Sequence, residues 1–281
     1  MKKAPVVKWI IEEGTFSEDI ASIVEAVRSQ NMIAETVRYR PFESGEYNQF
    51  GDNDCVIVLG SINLVRQIQR QKPWIPGSFA NFPNFDCMTY YAYFGKFLWN
   101  NPYYIMPLAE VKRKFNDLQL KHGRLFIRPC TGTKAFSGQI LDYEDLLRHE
   151  DQYGKPELPV VIAPGMEIRS EFRLFCSGNK VIAGSMYYNQ EGMYETAPID
   201  MLAGEKYSTL AVNYAHDILS QVSWRPDKMF AMDIGIGPRN EVGLIEINSF
   251  SCSGWYRSPP SLIVAEAARL AREEWEEINN L

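Results

Sequence analysis

MFAMDIGIGPRNEVGLIEINSF, residues 229–250, is two apolar runs around a polar turn, with acids set among the apolar side chains. Burying a lone carboxylate is costly, so each acid calls for a partner. A four-residue loop over Pro238–Glu241 makes the stretch a hairpin with Gly237 opposite Val242. Counting outward sets Asp233 opposite Glu246, and alternation along the strand puts Asn248 on the same face as Glu246. Carboxylates opposed at about 5 Å repel by ~3 kcal/mol at an effective dielectric of about 20, so a positive group belongs between them. Two carboxylates and an amide oxygen suit a hard cation, Mg2+ above all when phosphates complete the shell. An Arg or Lys neutralising the pair, or a register slip that separates the acids, would answer the same electrostatics.

The segments before this hairpin carry the complementary charge. RLFIRP reads as a strand ending near Arg128, and TGTKAFSG as a glycine-bearing loop holding Lys134. LPVVIAP is a buried strand stopped by Pro164. SEFRLFCSGNKVIAGSMYY is a second hairpin, turning at Ser177–Asn179, with Arg173 central in its first strand. Three cations and an acidic patch together describe a phosphate site. The loop is not a Walker A motif, because the G-x-x-x-x-G-K-[ST] spacing is absent.

Working outward, PVVKWII and CVIVLGS read as short buried strands. Between them, SEDIASIVEAVRSQ is an amphipathic helix with Ser17 as its N-cap, so the first part is a small parallel α/β unit. Residues 73–107 are dense in aromatic side chains without a regular period, read as core packing. STLAVNYAHDILSQV is a helix, and so is the C-terminal stretch, with an apolar stripe of Val264, Ala268, Ala271, Trp275 and Ile278. The 281 residues are 46% apolar and 23% charged, as in a globular protein, and the net charge of −6 argues against nucleic acid as a partner. No run of about 18 apolar residues is present, so no membrane span is expected. The five cysteines are scattered without a C-x-x-C, which fits a reducing cytoplasm better than a disulfide framework or a zinc site. Neither G-x-S-x-G nor H-E-x-x-H occurs, which argues against hydrolases of those types.

The ordered set of basic strand end, Gly/Lys loop, apolar strand, Glu171-Phe172-Arg173-Leu174-Phe175 and Leu244-Ile245-Glu246-Ile247-Asn248 resembles the ATP-grasp superfamily. Within it, the set looks like the divergent clade that includes the eukaryotic cell-division-cycle protein assembling translation initiation factor 2. The resemblance spans roughly residues 105–250. It implies an α/β chain, α+β in its C-terminal part: a pre-ATP-grasp α/β domain over residues 1–104 and an ATP-grasp domain over 105–281. Carried over by position, it implies that Arg128 and Lys134 touch the nucleotide phosphates and that the backbone of Val161, Ile162 and Ala163 meets adenine. Glu167 would hold the ribose, Arg173 the γ-phosphate or an acyl phosphate, and Asp233, Glu246 and Asn248 Mg2+. Arg173 and Lys134 would be the catalytic pair. The implied activity is an ATP- and Mg2+-dependent ligase joining a carboxylate to an amine through an acyl phosphate, with peptides or proteins among the candidate substrates. The alternative is an ATP-binding assembly factor for a protein partner, without ligase turnover.

Overall fold

The computed structural model describes residues 4–16, 20–40, 47, 49–115, 124–132, 135–148, 155–189, 197–198 and 206–279. Ser17 and Lys134 lie outside the described residues.

The first sheet is parallel, in the order β2-β1-β3-β4, from β1 (Lys8–Glu12), β2 (Ile33–Val37), β3 (Cys55–Leu59) and β4 (Ile75–Gly77). Every residue of β3 is buried, which is why CVIVL reads as a continuous apolar run. Helix α1 (Ile20–Ser29) connects β1 to β2, and α2 (Ile62–Gln71) connects β3 to β4. Ser61 caps α2 by accepting from the Leu64 N–H at 3.3 Å. Strand β2 was not expected from the sequence: Ile33, Glu35 and Thr36 are exposed at the sheet edge, so it carries no continuous apolar run.

After α3 (Cys87–Phe94) the chain enters a second, antiparallel sheet, in the order β5-β8-β6-β7. Its strands are β5 (Tyr104–Pro107), β6 (Leu125–Pro129), β7 (Gln139–Leu141) and β8 (Pro159–Pro164), with α4 (Leu108–Lys114) and α5 (Tyr143–Arg148) beside them. The third sheet, β11-β10-β9-β12-β13, is also antiparallel: β9 (Ser170–Ser177), β10 (Lys180–Asn189), β11 (Ala197–Pro198), β12 (Met229–Ile236) and β13 (Val242–Ser249). Helix α6 (Lys206–Gln221) packs on it. The last helix, α7 (Pro260–Asn279), returns to lie against α1, β3 and β4. Val264, Ala268 and Ala271 of its stripe are buried and Trp275 packs against the same core, while Ile278 is 53% exposed. One core joins Trp9, Ile11 and Ile57 to Phe175, Met229, Phe250, Trp255 and Ile263.

The aromatic stretch is largely core, as expected: Phe79, Phe85, Tyr90, Tyr91, Phe94 and Phe97 are all buried. All five cysteines are free thiols. No described helix is long and apolar enough to cross a membrane.

The β12–β13 hairpin forms with one change of register. Ile236 pairs with Val242, so the loop has five residues, Gly237–Glu241, rather than the expected four. A bulge between Asp233 and Ile234 on β12, where β13 carries the extra residue Ile245, takes up the difference. Asp233 is therefore opposite Glu246 after all. The shift coincides with a contact from outside the hairpin. Trp99 donates its backbone N–H to Leu244 O at 2.7 Å, and Leu98 bridges to the same residue. Gly243 permits this approach, since a Cβ there would stand 2.8 Å from Trp99 Cα.

Candidate active site

The second and third sheets face each other across two adjoining cavities of about 290 and 200 Å³. Both are walled by Phe126 and Gly138 from one side and by Ile168, Glu171 and Ile245 from the other. The bulge matters here, because it lets the successive residues Ile245 and Glu246 both line the larger cavity. The smaller cavity is completed by Trp99, Pro164 and Met166.

Arg128, Glu246, Asn248, Asp233 and Arg173 form one continuous polar network. Arg128 Nη2 lies 2.8 Å from Glu246 Oε2, an ion pair that crosses from β6 to β13. Asn248 Nδ2 donates to Glu246 Oε1 at 2.8 Å and to Asp233 Oδ2 at 3.0 Å. Arg173, opposite Asp233 on β9, grips that carboxylate with both Nε (2.9 Å) and Nη2 (2.7 Å). Asp233 is 1% exposed, Arg173 7% and Arg128 9%, so these are buried charges held by a two-pronged contact and by mutual neutralisation. Among the described residues, two arginines and an amide NH2 supply positive groups to the opposed carboxylates. Burial opposes the Arg173 charge, but the adjacent Asp233 carboxylate outweighs it and holds the guanidinium above its usual range.

The acidic face also suits a cation. Asn248 sits where both carboxylates converge, and its amide, turned over, would present oxygen beside theirs. Among the described residues no group of three or more His, Cys, Asp or Glu could hold a metal, so phosphate oxygens and water would complete the shell.

The other expected site residues are placed less uniformly. Val161 and Ile162 are in the middle of the second sheet, paired on one side with β5 and on the other with β6, and their side chains are buried. Ala163 pairs only with Phe126, past the end of β5. The smaller cavity is lined instead by residues just downstream, Pro164, Met166 and Ile168. Glu167, between the last two, is exposed and lines neither cavity.

Three participants were not assigned a role from sequence. Glu171 lines both cavities and accepts from the Tyr187 hydroxyl at 2.5 Å. Burial raises its carboxyl above the ordinary range, against that hydrogen bond. Alternation in EFRLF could have found it, since Glu171 and Arg173 share a face of β9. Tyr256 stacks on Tyr187 with ring centroids 4.8 Å apart. A larger hollow of about 1020 Å³ lies at the far end of the third sheet, around Ser177, Lys180 and Asp227. It is remote from this network, and its Arg225, Lys228 and Arg269 are engaged by carbonyls or carboxylates.

Two antiparallel sheets closing on a cleft of buried arginines and carboxylates, beside a parallel α/β sheet, define an ATP-grasp fold. The family model described as ATP-grasp domain, R2K clade family 2, matches residues 109–265, more than half of the chain, and the chain belongs to that family. Among solved structures, the D-cycloserine synthetase DcsG aligns with a TM-score of 0.63 and 11% identity, over 94% of this chain and 99% of that one. D-alanyl-alanine synthetase A from Vibrio cholerae aligns at 0.60 and 14%, over 98% and 100%. The ATP-grasp ligase PsnB, in complex with a minimal precursor, Mg and ADP, aligns at 0.54 and 13%, over 95% and 98%. These likenesses show a shared fold. No curated protein sequence matches the chain.

Proposed function

We propose that this chain is an ATP- and Mg2+-dependent ligase that joins a carboxylate to an amine through an acyl phosphate. The observation that carries the reading is the Arg128–Glu246–Asn248–Asp233–Arg173 network, which reaches the larger cavity between two sheets through Arg128 and Glu246. Phosphoryl transfer asks a protein for positioning and charge neutralisation more than for covalent chemistry, and this network supplies both signs of charge. In the proposed reaction a substrate carboxylate oxygen attacks the γ-phosphorus, the bond to the β-phosphate oxygen breaks, and ADP leaves. The amine then attacks the acyl carbon, loses a proton and expels phosphate. Arg128 and Arg173 would hold phosphate oxygens, with Lys134 joining them. Asp233, Glu246 and Asn248 would hold Mg2+, which when bound neutralises phosphate charge. PsnB, in complex with precursor peptide PsnA2, supports a peptide as one candidate substrate class.

Each arginine already neutralises a carboxylate, so nucleotide and cation have reason to bind together: the cation adds positive charge at the carboxylates and the phosphates balance the arginines. Thermal melts should show little shift with ADP or Mg2+ alone and a clear one with both, about 2.7 kcal/mol of stabilisation at a hundred times Kd. No shift with both at millimolar levels would end the nucleotide reading. A carboxylate panel with ATP, Mg2+ and hydroxylamine tests the chemistry. ADP and hydroxamate should appear together. AMP as product would refute the acyl phosphate, and tight ATP binding without turnover across the panel would favour the assembly-factor alternative.

A further inference from the structure

We propose that Tyr256 is a positioning residue for Arg173, holding its guanidinium so that one edge remains available to the transferring phosphoryl group. This rests on the ATP-dependent reading above and assigns a role that the network itself does not. A guanidinium has five N–H donors. In Arg173, Nε and Nη2 each give one to Asp233, and Nη1 gives one to Gly254 O at 3.2 Å. Among the described residues two N–H groups take no partner, one on each terminal nitrogen, so Arg173 can donate to a phosphoryl oxygen without leaving Asp233. Two mutually stacked aromatic rings lie together beside the cation. Its Cζ lies 5.1 Å from the Tyr256 centroid and 5.6 Å from that of Tyr187, both within cation–π range. The rings are stacked within 9° of parallel, and Tyr187 is anchored through its hydroxyl to Glu171.

The backbone supports a purpose for Tyr256. It adopts φ 53°, a left-handed conformation that a bulky side chain seldom takes. Trp255 before it and Ser258 after it are buried, and Ser258 N–H donates to Trp255 O at 3.0 Å, closing a tight turn. The left-handed residue turns one ring outward over Arg173 while its neighbour fills the core. Tyr256 is 36% exposed and is not part of the adjoining apolar core; its contacts are with Tyr187 and Arg173. A residue in a strained backbone persists where its surroundings over-determine it, a pattern that clusters at functional sites.

The test compares a non-hydrolysable ATP analogue with ADP, each with Mg2+, by calorimetry on the full chain. Tyr256→Asn removes the ring while keeping a residue that tolerates the left-handed backbone. It should lower analogue affinity roughly tenfold, leave ADP affinity within about twofold, and leave the melting temperature nearly unchanged, because only the analogue carries the γ-phosphoryl group. Tyr256→Phe keeps the ring face and should behave as wild type. Equal losses for both nucleotides, no loss for either, or a Phe variant as weak as the Asn variant would each overturn the proposal. A wild-type chain that prefers the analogue no more than ADP would overturn it too. Failure of the wild type to bind either nucleotide would instead remove the ATP-dependent reading beneath it.

Discussion

Glu246 is held by Arg128 and by the Asn248 amide, and this changes what its removal should do. From sequence alone, two opposed carboxylates suggest that neutralising one relieves repulsion. In the structure the repulsion is already answered, so Glu246→Gln would leave Arg128 buried without its counter-charge. The variant should lose about 3 kcal/mol in urea unfolding, as broken buried pairs do, and lose the Mg2+ dependence of nucleotide binding. Unchanged stability would mean that Arg128 has another partner. The pairing of Asp233 with Glu246 was legible, because alternation and a hairpin loop are local rules. Which cation neutralises each acid was not, because Arg128 comes from a different sheet and Arg173 from a strand whose neighbour is fixed only by the fold. Asp227 offers a separate test. Burial, against backbone donors from Asn81 and Lys228, raises its carboxyl from 3.8 to about 6. A folded-state value above the unfolded one means that Asp227 favours folding below about pH 4 and loses that contribution as pH rises through about 6. The swing is about 3 kcal/mol. Asp227→Asn cannot titrate, so its stability relative to wild type should improve by about that amount between pH 4 and pH 7; a pH-independent difference would show that the carboxyl titrates normally.

The β12–β13 hairpin shows how far local rules reach. Both strands and their facing residues could be read, yet the loop was set one residue too short. Nothing within residues 229–250 reports that Trp99 docks on Leu244, a contact that accompanies the five-residue loop and its compensating bulge. The missed β2 has a parallel cause: an edge strand with exposed Ile33, Glu35 and Thr36 lacks the apolar run that announced β3. Gly243→Ala tests the docking directly. Its methyl group would meet Trp99 backbone at 2.8 Å, which a side-chain adjustment cannot relieve. Overpacking of this kind costs about 1–3 kcal/mol. Because Trp99 also walls the smaller cavity, nucleotide affinity should fall with stability. A variant as stable as wild type would show that the Trp99 segment moves freely away from β13.

At the scale of the molecule, the change near residue 104 is a change of sheet, since β5 begins at Tyr104. We propose it as the domain boundary, although packing continues across it: α7 covers the first sheet, Gln30 donates to Ser261 O, and Trp275 donates to Asn53 O. Deleting residues 260–281 should therefore uncover Trp9, Ile11 and Ile57 and abolish a single cooperative melt followed by circular dichroism. Residues 1–104 giving a well-dispersed NMR spectrum on their own would refute that dependence. The Arg128–Glu246 contact has a different consequence, for the timing of events. It joins the two sheets across the cleft to which we assign the nucleotide. Entry is then confined to the intervals in which this latch is open. In stopped-flow mixing, the observed association rate should climb with nucleotide concentration and then level off at the opening rate, and Arg128→Gln should lift that ceiling.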